Sequence, residues 1–349
     1  MIKIIRGDKD WNAQLVSFKN KDFYHTYYYH CLSKKEGETP VLITYIQDKV
    51  TIAIPLLIRA IKNSDYKDAV SVYGYCGVLS SNLNEDFDIE NFHKEIHDFF
   101  YENKIVSVFS RLHPFLKDEE TILCGLGDII TLGKVVYLDL TQTLENQRAN
   151  FNRRLKTYLN KSRKLCTVID ASSDAEIHEF IRLYHETMKR VDAVDYFFFD
   201  DAYFYKLLSS NDFEANLKLC VHNETNTILG GAIFIKKGSI VQYHLSGRNA
   251  KDFNVDPIKL LLDTMRIEAT EQGYTYFNLG GGRGSNEDSL FRFKSGFSKD
   301  FKEFKIWKYV VNETVYDELV ENYFEDHSDL SLENVSFFPA YRAMTSEPK

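Results

Sequence analysis

The sequence predicts a mixed α/β (α+β) fold in two domains, each a mixed but mostly antiparallel sheet flanked by helices. Three observations carry this. A chain of 349 residues is long for one hydrophobic core, since domains usually run to roughly 100–200 residues. Its β-rich runs come as closely linked pairs and triplets, the pattern of hairpins and meanders. Between them lie stretches whose apolar residues recur at helical spacing. With 44% hydrophobic and 27% charged residues and only six prolines, the composition is that of a folded globular chain with little room for a disordered linker.

In the first half a helix is expected around Asp22–Leu32, followed by a hairpin from Val41–Ile46 and Thr51–Ile58 across the turn Gln47-Asp48-Lys49. An apolar run at Ala69–Leu79 comes next. Ile89, Phe92, Ile96, Phe99 and Phe100 then mark a helix near Ile89–Tyr101, and strands near Ile105–Phe109 and Val135–Leu140 close this half. A single helix is expected from Thr141 to Lys164, with Leu144, Phe151, Leu155, Tyr158 and Leu159 on one stripe. Helices near Asp174–Lys189 and Asp200–Leu208 precede a meander of Leu217–Val221, Ile228–Ile235 and Ile240–Leu245, whose links carry the Asn and Gly that tight turns favour. Asp256 can cap the next helix, Pro257 suits its first turn, and Gly273 suits its end. A strand at Tyr274–Leu279 then runs into a glycine loop. The predicted division is 1–140, 141–325 and a C-terminal extension, 326–349.

A formal net charge of −8 argues against a protein that coats nucleic acid or an anionic membrane over its whole surface. The opening residues lack the apolar run of a signal peptide, and no segment approaches the ~18 apolar residues of a membrane span, so a cytoplasmic location is expected. Cys31, Cys76, Cys124, Cys166 and Cys220 are scattered and odd in number, which indicates neither a disulfide framework nor a zinc site, and no metal is expected. Locally the charge differs. Arg148, Arg153, Arg154, Lys156, Lys161, Arg163 and Lys164 fall in one run without an acidic residue, which is either a solvated helix face or a contact for nucleic acid or phosphate, with Arg153, Arg154 and Lys156 as its candidates.

The strongest chemical signal is Gly280-Gly281-Gly282-Arg283-Gly284. In open α/β sheets ligands bind beyond strand C-termini, which is where a strand running straight into this loop places it. Successive glycines let backbone N–H groups approach an oxygen, and Arg283 adds a forked cation for carboxylate or phosphate. Ser285 with Asp288 suggests a capping box and a helix immediately after. A plain tight turn is the alternative. Lys294 follows between Phe293 and Phe297; an ammonium there can stabilise the oxyanion of a tetrahedral intermediate, or its stem can pack on Phe while its head reaches water.

The order Gln242-Tyr243-His244-Leu245-Ser246-Gly247, Pro257-Ile258-Lys259-Leu260-Leu261, Glu268-Ala269 to Gly273, Asn278-Leu279-Gly280-Gly281 and Phe293-Lys294-Ser295-Gly296-Phe297 resembles the FemAB-like family of aminoacyl and acyl transferases. The motif match spans about Asn146–Val311. The resemblance implies two tandem GNAT-like domains and transfer of an aminoacyl or acyl group onto an amine of a cell-wall (peptidoglycan) precursor or surface-glycan nucleotide sugar. The donor would be aminoacyl-tRNA or acyl-CoA, with no tightly bound cofactor. It implies Lys294 as the transition-state-stabilising lysine, and Arg190, Tyr196, Tyr243 and His244, with the loop Gly280, Gly281, Gly282 and Arg283, as substrate-binding positions. Arg190 has an alternative as a helix-end arginine interacting with the dipole. Arg111 and His113 follow a strand and are expected to face the interdomain cleft, with Arg111 as a substrate-binding candidate, or else to form a structural turn. Two departures matter. Ser246-Gly247-Arg248-Asn249-Ala250-Lys251 offers one glycine where CoA-dependent GNAT enzymes carry Arg/Gln-x-x-Gly-x-Gly/Ala, and no long heptad pair forms a coiled-coil arm. A CoA-dependent N-acyltransferase and a non-catalytic ligand-binding member are the competing readings.

Overall fold

The computed structural model describes residues 1–250, 255–327 and 337–343. Its elements, in chain order, begin with β1 (Ile2–Ile5), α1 (Asp8–Leu15), α2 (Tyr27–Ser33), β2 (Thr39–Gln47), β3 (Val50–Ala60), β4 (Lys67–Val70), β5 (Leu79–Ser81), α3 (Ile89–Glu102), β6 (Ile105–Arg111), α4 (Glu119–Leu123) and β7 (Asp128–Asp139). There follow α5 (Leu144–Ala149), α6 (Arg153–Leu165), β8 (Cys166–Asp170), α7 (Asp174–Arg190), α8 (Asp201–Leu208), β9 (Glu214–His222), β10 (Ile228–Lys237) and β11 (Ile240–Arg248). The last are α9 (Pro257–Glu271), β12 (Tyr276–Gly280), α10 (Ser289–Lys294), β13 (Asp300–Val310) and α11 (Glu313–Asp326). The described residues group into two compact units, one of Met1–Leu132 with those of the segment Glu303–Glu347, the other of Gly133–Lys302. Of the expected extension 326–349, residues 328–336 and 344–349 lie outside the described residues.

In the first unit the strand order is β1-β2-β3-β4-β6-β13, with β5 on β3. The expected hairpin is β2 and β3, antiparallel from Thr39↔Ile58 to Gln47↔Val50. The apolar run at 69–79 is not one strand: it divides into β4 and β5 around a loop containing Gly74 and Gly77, both at positive φ. Phe92, Ile96 and Phe100 of α3 bury one helical face in a core that includes Ile52, Ile54, Val108 and Trp307.

The second unit has the order β7-β12-β11-β10-β9-β8. Its pairs are antiparallel except β11 with β12, whose parallel register runs from Ile240↔Tyr276 to Gln242↔Asn278 and stops there. α9 begins as its sequence dictates: Asp256 accepts from Lys259 N at 3.4 Å, Pro257 takes the first turn, and Gly273 follows at φ 80°. Its Ile258, Leu261, Leu262, Met265 and Ala269 join Phe234, Val241, Phe277 and Leu279 in one core.

Two expected helices differ. The helix predicted across 141–164 is two, because Phe151 turns into the core edge-on to Phe297 at 5.4 Å and Asn152, in extended backbone, donates its N–H to Gly296 O at 3.0 Å. The Ser285/Asp288 capping box is not formed. Ser285 sits at φ 64° in the turn Arg283–Ser285, and Asp288 itself caps α10 by accepting from Phe291 N at 2.9 Å.

Candidate functional site

Where β11 and β12 part, two irregularities set the geometry. On β10, Phe234 pairs with Tyr243 and Ile233 with Leu245, so His244 is the extra residue of a β-bulge. On β7, Tyr137 pairs with Asn278 and Val136 with Gly280, which makes Leu279 the corresponding extra residue on β12. Buried Asn278 fixes the exit of that strand. Its Nδ2 donates to Gln242 Oε1 at 2.9 Å across the parallel pair, and its Oδ1 accepts from Gly280 N at 2.9 Å. Gly280 then turns at φ 76°, a conformation that favours glycine. At Gly282 a Cβ would lie 2.0 Å from Asn286 O, so the third glycine is required by close packing within the loop.

Lys294 closes α10 and reaches back to this loop: its Nζ donates to Gly281 O at 2.6 Å and lies 5.9 Å from the centre of the Tyr243 ring. Only 7% of the residue is exposed. Burial pushes its amine down to about 7, with the Asp288 carboxylate pulling the other way. Near neutral pH the group is therefore poised between ammonium and amine. Burial pushes the Tyr243 hydroxyl up to about 12, and that hydroxyl shares a hydrogen bond with Ser246 Oγ. His244 is pushed down to about 3 by burial, so its ring is neutral, with Nε2 3.3 Å from Tyr203 Oη. Tyr203 in turn stacks on Phe199 at 4.0 Å.

Gly281, Tyr243 and Lys294 thus meet, with Gly280, Gly282 and Arg283 on the same loop and His244 beside Tyr243. Arg283 is exposed, its Nε 3.1 Å from Asp288 Oδ2. Arg190 ends α7 and donates from Nη2 to Thr187 Oγ1 at 3.0 Å; Thr187 Oγ1 also accepts from Arg248 N at 3.0 Å, which links that helix end to the end of β11. Tyr196 lies in the turn Asp195–Phe197, edge-on to Phe197 and Phe199. Arg111 belongs to the first unit, where its guanidinium lies over Tyr73 at 5.0 Å and Phe109 at 5.1 Å. His113 is buried there, with Nε2 3.0 Å from Asp22 Oδ2. Arg153 and Arg154 are exposed on α6, Arg154 donating to Tyr158 Oη at 3.3 Å, while Lys156 Nζ donates to Ala149 O at 3.0 Å.

Sequence reasoning placed Asn278 in a motif but gave it no role of its own; its signal was an amide inside the apolar run of a buried strand. It also passed over Tyr184 and His185 on α7. Their side chains hold the aromatic segment after that helix, Tyr184 Oη donating to Phe197 O at 2.8 Å and His185 Nε2 lying 2.9 Å from Phe199 O. Gly247 serves the same packing: a Cβ there would lie 2.4 Å from Tyr184 N.

Residues 145–305 match the family model described as an acetyltransferase (GNAT) domain. This segment is therefore similar to GNAT acetyltransferase domains. Among solved structures, the chain is similar to the crystal structure of FemX, at 15% identity and a TM-score of 0.70, covering 90% of this chain and 99% of that one. It is similar to L-PGS from Bacillus licheniformis at 14% identity and a TM-score of 0.58, covering 88% and 93%. A conserved protein of unknown function from Bacteroides thetaiotaomicron matches at 10% identity and a TM-score of 0.56, covering 88% and 100%. No curated protein matches by sequence. The expected fold class is borne out by these likenesses, and the acetyltransferase (GNAT) domain match over residues 145–305 agrees with the acyltransferase class that the motifs imply. Among the described residues no helix is long and apolar enough to cross a membrane.

Proposed function

We propose that this protein is a FemAB-type transferase of the cytoplasm that moves an aminoacyl or acyl group onto an amine of a cell-wall precursor or surface-glycan nucleotide sugar. One observation carries the reading: a nearly fully buried Lys294 amine bound to the carbonyl of Gly281, at the end of the strand where a GNAT-type sheet opens. The acceptor amine attacks the donor's ester or thioester carbonyl, charge develops on its oxygen, and Lys294 donates to that oxygen. The tetrahedral intermediate then collapses with cleavage of the C–O or C–S bond, and the departing hydroxyl or thiol takes up the proton that the amine loses as it becomes an amide. Since its amine titrates near 7, developing negative charge nearby raises its proton affinity in step with the reaction. Tyr243, Tyr196 and Arg190 are assigned to the acceptor.

Aminoacyl-tRNA is the preferred donor, with Arg153, Arg154 and Lys156 of α6 as its phosphate contacts. The alternative donor, acyl-CoA, is favoured by the acetyltransferase description of the family. Against it stands the end of β11, where the one glycine of Ser246–Lys251, Gly247, pairs with Gly231 of β10 and is committed to packing on α7. Isothermal titration of the full chain with acetyl-CoA, a long-chain acyl-CoA and charged tRNA separates the two. Micromolar binding of the charged tRNA is expected; binding of the CoA thioesters with none of the tRNA overturns the donor assignment.

A further inference from the structure

Helices α5, α6 and α9 bring three guanidiniums close together, two of which share one carboxylate. Arg266 of α9 is 2% exposed. Its Nε donates to Asp263 Oδ1 at 2.9 Å, its Nη2 lies 2.8 Å from the same oxygen, and its Nη1 donates to Gln147 Oε1 at 2.9 Å. The other carboxylate oxygen, Asp263 Oδ2, pairs with Arg163 of α6. Both oxygens are therefore taken. Arg148 of α5 brings the third guanidinium: Nη2 donates to Asn160 Oδ1 at 2.8 Å, whereas Nη1 is buried with no hydrogen-bond partner among the described residues. Burial holds Arg266 below its usual range; Asp263 opposes this, and the charges of Arg163 and Arg148 add to it.

A clamp between helices needs one guanidinium for each carboxylate oxygen, and Arg266 with Arg163 already provides it. Arg148 is surplus to that clamp. A buried donor without an acceptor is unfavourable, and like charges brought together are unfavourable as well. An oxyanion with several acceptor oxygens relieves both, and the planar fork of arginine suits phosphate. Access exists from the Arg163 side, whose side chain is 38% exposed. Around it, the run from Arg148 to Lys164 contains no acidic residue, so the local field draws anions toward the cluster.

We propose that Arg148 and Arg163, backed by Arg266, bind a phosphate-type oxyanion, supplied by an RNA backbone or by the phosphate of a soluble nucleotide cofactor. The site needs no acyl transfer to be detected, so its failure and that of the transferase reading are separable. The test is thermal unfolding of the full chain at constant ionic strength, with chloride replaced stepwise by inorganic phosphate or pyrophosphate, and with coenzyme A and a short RNA hairpin in parallel. Wild type is expected to show a saturable rise in Tm with phosphate or pyrophosphate. Arg148→Gln should weaken that binding at least tenfold, and Arg148→Lys, which keeps the charge but loses the fork, should fall between them. A further rise with RNA assigns the phosphate to a nucleic-acid backbone, and a further rise with coenzyme A assigns it to a cofactor. Absence of any saturable rise in wild type overturns the proposal, as does an equal rise in Arg148→Gln, or in Arg148→Lys should the glutamine variant fail to fold.

Discussion

Lys294→Met removes the buried amine while keeping an unbranched stem of similar volume, which isolates the energetic cost of the charge. A fall in the lysine pKa from 10.5 to about 7 corresponds to about 5 kcal/mol of preference for the neutral form. Because the folded pKa lies below the unfolded one, between pH 7 and about 10.4 the unfolded chain holds a proton that the folded chain has lost. Stability therefore climbs with pH across that window, and below pH 7 the full penalty applies. The slope from this one group is about 1.4 kcal/mol per pH unit. Urea unfolding of both proteins at pH 7.5 and 9.5 should show wild type gaining about 3 kcal/mol relative to Lys294→Met, after shared titrations cancel in the difference. At pH 6 the variant should be the more stable protein, offset in part by loss of the hydrogen bond to Gly281 O. Parallel pH dependence of the two would refute the reasoning, since it would mean that residue 294 titrates alike in the folded and unfolded chains.

Other parts of the site give separate expectations. Asn278→Leu removes the bonds to Gln242 Oε1 and Gly280 N at a buried position, so about 1–3 kcal/mol of stability should be lost in urea unfolding; an unchanged midpoint would contradict its role at the strand exit. Gly282→Ala places a Cβ 2.0 Å from Asn286 O and should lower the transfer rate and the Tm together, which parallel assays of rate and melting check. The His244 ring, pushed down to about 3, should show no titration by NMR between pH 5 and 8, and a midpoint near 6.5 would place it in water instead. If α6 binds RNA, Arg153→Glu with Arg154→Glu should weaken binding and reduce the slope of log affinity against log salt by about 0.7–0.9 for each phosphate no longer neutralised; an unchanged slope removes these residues from the interface.

The elements that the sequence specifies locally are the ones it revealed. Asp256, Pro257 and Gly273 bound α9 because cap, first-turn and end residues act within a few positions of themselves. The meeting of Lys294 with the glycine loop was also legible, since a strand, a loop and a short helix in sequence confine where that side chain can go. What stayed hidden depends on partners distant in the chain. The bulge at His244 is a one-residue slip against β10, and nothing within β11 announces it. The break between α5 and α6 reflects Asn152 bonding to Gly296, far along the chain, while the apolar stripe reads on unbroken through the gap. The Arg148, Arg163 and Arg266 cluster joins three helices, so the sequence displayed its basic run but not the shared carboxylate at its centre.

Acyl transfer by wild type and Lys294→Ala, measured in single turnover with a charged tRNA and an amine-bearing nucleotide-sugar peptide at saturating concentrations, bears most directly on the transferase assignment. Loss of one oxyanion donor should lower the rate about 10²–10³-fold while leaving acceptor affinity nearly unchanged. Equal rates in the two proteins would remove Lys294 from the chemistry, whatever its place beside Gly281.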